Sequence, residues 1–126
     1  MRRPRFVTLL TAFCLAVSIA CSAQRPRTGT TVGVSMAYFD DNFLSILRNA
    51  MIAHGRSLPG VQLQFDDAQG DVGKQLSQIQ NFIAQGASAI VVNTVDSSAT
   101  PKMTRLAHDA GVPLVYVNRQ PSDETL

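Results

Sequence analysis

Tryptophan is absent from this chain of 126 residues, cysteine occurs only as Cys14 and Cys21, and histidine only as His54 and His108. A disulfide framework and a cysteine zinc site are thereby excluded. The segment after the first apolar run, "SMAYFDDNF", has no glycine, so the backbone cannot approach a pyrophosphate at a helix start as a dinucleotide site requires. Neither GxxxxGK[ST] nor GxSxG occurs, which removes the phosphate-cradling loop and the nucleophile elbow. His54 and His108 each stand alone within a helical pattern and read as solvated or capping side chains, not as bases.

Positive charge is also scarce once the N-terminus is set aside. Arg2, Arg3 and Arg5 precede the uncharged run Phe6 to Ala20, "FVTLLTAFCLAVSIA". That run is short for a bilayer span of about 20 residues and no second one follows, so residues 1–20 read as a secretion signal. "VSIAC" is similar to a bacterial lipobox, which makes Cys21 the candidate lipidated residue; ordinary cleavage after Ala23 is the alternative. From Cys21 onward there are eight Lys/Arg and nine Asp/Glu, one negative charge net, and nothing predicts nucleic-acid binding.

What is present is an alternation of β-rich and helical patterns after a polar linker, 21–30. Val32–Met36 reads as a strand, and Phe43, Leu44, Leu47, Ala50 and Met51 recur at helical spacing behind a cap at Asp40 or Asp41. "VQLQF" is a second, less buried strand. Asp71 caps a second helix with Leu76, Ile79, Phe82 and Ile83 inward and Gly86 as its stop. "AIVVN" is a third strand, apolar enough to be covered on both faces. Thr100 as cap, Pro101 at the first helical position and Gly111 as the stop frame a third helix with Met103, Leu106 and Ala110 inward, and "PLVYVN" is a fourth strand. The order β-α-β-α-β-α-β predicts an α/β fold, an open doubly wound parallel sheet with helices on both faces, over residues 31–126.

Ligands of such sheets bind beyond the carboxyl ends of the strands. Those ends carry Tyr38 to Phe43, Asp66 and Asp67, Asn93 to Asp96, and Asn118 with Arg119. A phosphate-receiving regulator needs an aspartate where Asn93 stands, and an adjacent carboxylate pair is weak support for calcium. A sugar suits the set: hydroxyls donate to a carboxylate, an amide both donates and accepts, and an aromatic face covers the C–H side of a ring. Taken singly, Asp41 is also readable as a helix cap, Phe43 as core and Asn93 as a turn residue.

"VGVSMAYFDDNFLSILRNAM", "DDAQGDVGKQLSQIQNFIAQGASAIVVNTVD" and "AGVPLVYVNRQP" resemble, in order and spacing, the N-terminal lobe of the periplasmic sugar-binding proteins of ABC transporters, in particular the D-galactose/D-glucose-binding proteins. The resemblance spans residues 31 to 121. It implies that Asp41 binds sugar hydroxyls, Phe43 stacks on the sugar and Asn93 supplies an amide ligand. It further implies a non-enzymatic, extracytoplasmic solute-binding component without a cofactor, serving a hexose such as galactose or glucose. Its partners would be an ABC permease and, optionally, a chemotaxis receptor. A second lobe, with the opposing aromatic and the calcium loop of galactose binders, has no counterpart in the sequence, so a truncated lobe is expected. The alternative is a lobe that binds no sugar and serves as an interaction module or inert fragment.

Overall fold

The computed structural model describes residues 29–122. The expected secretion signal, Cys21, nearly all of the linker and the last four residues lie outside that range.

Four parallel strands, β1 (Thr30–Met36), β2 (Val61–Asp67), β3 (Ala89–Val92) and β4 (Leu114–Tyr116), stand in the order β2-β1-β3-β4. They alternate with helices α1 (Asn42–Gly55), α2 (Val72–Ala84) and α3 (Thr100–Asp109), giving the expected doubly wound α/β sheet. The direction of winding reverses between β1 and β3, and the helices divide accordingly. Val34 and Met36 of β1 pack with Leu44 of α1 on one face, with half-buried Leu47, Met51, Phe65 and Val91 around them. On the other face, Ile90 and Val92 pack with Ile79 and Phe82 of α2 and Met103 of α3. Period-2 alternation along each strand supplies both faces at once.

One position in β1 has no side chain because a helix lies against it. A Cβ on Gly33 would overlap the Phe82 ring, at 2.6 Å from Cδ2 and 2.8 Å from Cδ1. Glycine there lets α2 settle its aromatic directly on the strand backbone.

Helix ends follow the local chemistry read from the sequence at α1 and α2. The carboxylates of Asp41 and Asp71 accept from the N–H groups of Leu44 and Lys74, both at 2.9 Å, each satisfying a donor that the first turn leaves open. Gly86 and Gly111 close α2 and α3. The N–H of Ala87 donates to the Phe82 carbonyl and that of Gly86 to the Ile83 carbonyl, and at α3 the N–H of Val112 donates to the Ala107 carbonyl and that of Gly111 to the His108 carbonyl, at each helix the paired closing bonds of a Schellman stop.

Four expectations need correction. Thr100 is not the cap of α3: a 3-10 turn, Ser97–Ala99, runs into the helix, and Asp96 caps that turn by accepting from the Ser98 N–H. The Thr100 hydroxyl instead donates to the Ser97 carbonyl and accepts from the Ser122 N–H. Ala50 and Ala110 are exposed. At about 100° per residue, Ala50 lies on the flank of α1, away from the line through Leu44, Met51 and Gly55, while Ala110 stands past the end of α3 and Ala107 takes the inner position. Phe43 shares the flank of Ala50 and is likewise outside the core. Finally, β3 is not fully covered: Ile90 and Val92 are buried beneath α2 and α3, but Ala89 and Val91 are half-buried, because α1 lies over β1 and β2.

Candidate functional site

The carboxyl ends of all four strands open on one end of the sheet. After β1 the chain runs through Tyr38 and Phe39 to Asp40 and Asp41, and Phe39 anchors this passage. Its carbonyl accepts from the Ser45 hydroxyl at 2.8 Å and from Arg48 Nη1 at 3.2 Å, and the Arg48 guanidinium lies 4.2 Å above its ring. The cation on the ring face and the two bonds to the carbonyl hold the loop against α1.

Asp41 caps α1 through Oδ1, and an ionised carboxylate has about four acceptor sites over two oxygens, so capping leaves Oδ2 for another donor. Phe43 follows in the first turn and is 55% exposed. An aromatic at the start of a helix that packs on the sheet would ordinarily be drawn inward; here the helix phase turns it out to solvent. Tyr38, also exposed, lies against bare backbone: a Cβ on Gly70, whose φ is 73°, would come within 2.8 Å of its ring.

Asn93 is placed differently from Asp41 and Phe43. It is 1% exposed, its Oδ1 accepts from the Ala37 N–H and its Nδ2 donates to the Val117 carbonyl, both at 3.3 Å. The amide thus bridges the ends of β1 and β4 from the end of β3, with one hydrogen and one lone pair not engaged by those two bonds.

Beyond β3, Arg119 reaches across from the end of β4 and donates through Nη1 to the carbonyls of Thr94 and Val95, at 3.2 and 2.6 Å. Asp96 lies in this loop, and its carboxyl is held below its ordinary range by the Ser98 N–H and hydroxyl and by the Arg119 guanidinium. Asn118 takes the left-handed conformation that turns the chain here, with φ of 67°.

Beneath these loops lies a buried amide layer that the hydrophobic periodicity did not mark. Gln75 and Gln78 of α2 are both buried. Gln75 donates to the Asn93 carbonyl at 3.0 Å and accepts from the Val95 N–H at 2.9 Å, and Gln78 donates to the Asp67 carbonyl at 2.8 Å. The one signal for them was the recurrence "KQLSQI" within the second resembling segment. Periodicity assigns glutamine to the solvent side, and only the partners of each amide show otherwise.

The arrangement brings a carboxylate and an exposed aromatic to the same end of the sheet as a buried layer of hydrogen-bonded amides, and nothing in it pairs a nucleophile with a base. Residues 32–126 match the model of the periplasmic binding protein domain. The chain belongs to that family.

Among its relatives, a putative rhizopine-binding protein of Rhizobium meliloti is 51% identical over 86% of the chain. A D-galactose/methyl-galactoside binding periplasmic protein of Haemophilus influenzae is 24% identical over 94%. Among solved structures, an ABC transporter solute binding protein from Bacillus halodurans with bound myo-inositol superposes on 75% of the chain with a TM-score of 0.71 and 34% identity. The chain spans about a third of the length of these proteins, 35% and 36% of the two relatives and 33% of the solved chain.

Proposed function

We propose that this lobe supplies one side of an extracytoplasmic clamp for a neutral cyclic polyol, delivered to an ABC permease. The exposed Phe43 at the start of α1, two residues after the Asp41 carboxylate, carries this reading, since an apolar plate together with an acceptor of hydroxyl protons matches a ring with C–H faces and an O–H rim. Asp41 accepts from ring hydroxyls through Oδ2, Phe43 stacks on the ring, and Asn93 closes the floor with its remaining amide hydrogen. A hydrogen bond to a charged group contributes about 1.5–3 kcal/mol, so two such bonds and one stacked face approach the roughly 8 kcal/mol of a micromolar complex.

Within the polyols, an inositol-type ring is favoured over galactose or glucose. The structure with bound myo-inositol is 34% identical to this chain, against 24% for the galactose binder. Hexose binding remains the second reading, supported by the match of "DDNF" and by that relative's coverage of 94% of the chain. Closure of two lobes about a hinge would then be the two-state element that reports occupancy to the permease.

Isothermal titration of the protein with myo-inositol, D-galactose and D-ribose tests the assignment. The expected order is myo-inositol, then galactose, then ribose. Tighter binding of galactose would move the assignment to the hexoses. A folded protein that binds none of the three would refute capture by this lobe and place it, at most, with a two-lobed protein.

A further inference from the structure

We propose that Gln75 and Gln78 are positioning residues of the polyol site, locking the four strand ends into one arrangement; this rests on the function proposed above. Buried primary amides are tolerated only where their bonds are made, and here they are made to the loops that carry the site. Gln75 Nε2 donates to the Asn93 carbonyl and, at 3.2 Å, to Ser35 Oγ, while its Oε1 accepts from the Val95 N–H. Ser35 Oγ donates in turn to Gln78 Oε1 at 2.7 Å, and Gln78 Nε2 donates to the Asp67 carbonyl.

The backbone groups fix the polarity of this relay. The Val95 N–H requires an acceptor and the Asn93 and Asp67 carbonyls require donors, so reversing Gln75 would set donor against donor at Val95 and acceptor against acceptor at Asn93, and reversing Gln78 would set acceptor against acceptor at Asp67. Asn93 extends the relay through its side chain to the Ala37 N–H and the Val117 carbonyl. Ser35 and Ala37 belong to β1 and its exit, Asp67 ends β2, Asn93 and Val95 leave β3, and Val117 follows β4. Two glutamines and one asparagine therefore tie every strand end together.

Their place along α2 separates this from core filling. The helix meets the sheet through Gln75 and Gln78 in the half nearest the strand ends and through Ile79 and Phe82 farther away. Apolar contacts hold the fold at the far half; directional bonds set the geometry at the site half. Such bonds transmit a defined angle and distance to a loop, which apolar packing does not.

Gln75→Met and Gln78→Met keep side-chain length and remove the bonds. Two readouts decide the matter: amide exchange at Ala37, which is two hydrogen bonds removed from Gln75 by way of Asn93, compared with exchange at Ile90 in the core; and the ratio of myo-inositol to D-galactose affinity. The expected result for Gln75→Met is at least tenfold faster exchange at Ala37 with Ile90 unchanged, and an affinity ratio that falls toward one. Equal acceleration at both amides, or an unchanged ratio alongside weaker binding of both polyols, would reduce the glutamines to general stability and overturn the proposal. If the unsubstituted protein binds neither polyol, the ligand assignment fails by itself, and the exchange at Ala37 alone decides whether the glutamines position the loops.

Discussion

Asp41 has two tasks that can be separated by choice of substitution. As the cap of α1 it accepts from the Leu44 N–H at 2.9 Å; as a proposed ligand it accepts from polyol hydroxyls with the other oxygen. Asparagine keeps a side-chain oxygen at the same reach and is about as good a cap as aspartate, whereas alanine loses the cap at about 1 kcal/mol. In a domain near 100 residues that loss lowers Tm by roughly 4–8 °C. Asp41→Asn should therefore leave Tm within about 2 °C of the parent, where Asp41→Ala shows the full decrease.

Affinity should behave in the opposite way. Replacing the carboxylate by a neutral amide changes bonds of about 1.5–3 kcal/mol into bonds of about 0.5–1.5 kcal/mol, a loss near 1.4 kcal/mol, or tenfold in Kd. Both variants should lose at least that factor in a myo-inositol titration, although only one loses stability. Thermal unfolding followed by circular dichroism, paired with calorimetric titration, reads both quantities on the same samples. Parental affinity in Asp41→Asn would refute the ligand role, and an equal fall in Tm for both variants would refute the account of the cap.

Two further outcomes follow from the packing. Gly33→Ala should destabilise by about 1–3 kcal/mol, since the added methyl meets the Phe82 ring in a closed core; Phe82→Leu in the same chain should recover part of that in urea unfolding, and strictly additive losses would show that the two do not compete for the space. Burial raises the pKa of the Tyr116 phenol, against a smaller lowering by its bond to Thr104, from an ordinary value of 10.0. The unfolded phenol thus ionises first, so this contribution to stability is complete below about pH 10 and lost as pH rises through the folded value. Tyr116→Phe should cost about 1 kcal/mol at pH 7, through its bonds to Thr100 and Thr104, and should shrink the alkaline decline; an unchanged decline would place its origin elsewhere.

The amino-acid sequence by itself determined the order of elements and most of their ends. Alternating Val32–Met36, the helical recurrence of Leu76, Ile79, Phe82 and Ile83, the caps Asp41 and Asp71, and the stops Gly86 and Gly111 are local patterns whose physics is complete within a few residues. Chain order together with the right-handed crossover was enough to mark the strand ends as the place of the candidate site. A cap at Asp40 or Asp41 was legible because a cap is a local device, and the structure assigns it to Asp41. The tertiary structure decided what depends on partners distant in sequence: Ser35 meets Gln78 across 43 residues, Ala37 meets Asn93 across 56, and Gln75 meets Asn93 across 18. Hydrophobic pattern cannot distinguish a buried, hydrogen-bonded glutamine from a solvated one. It also cannot give the rotation of α1 that turns Phe43 outward, because that phase is set by which residues of the helix fit against β1 and β2.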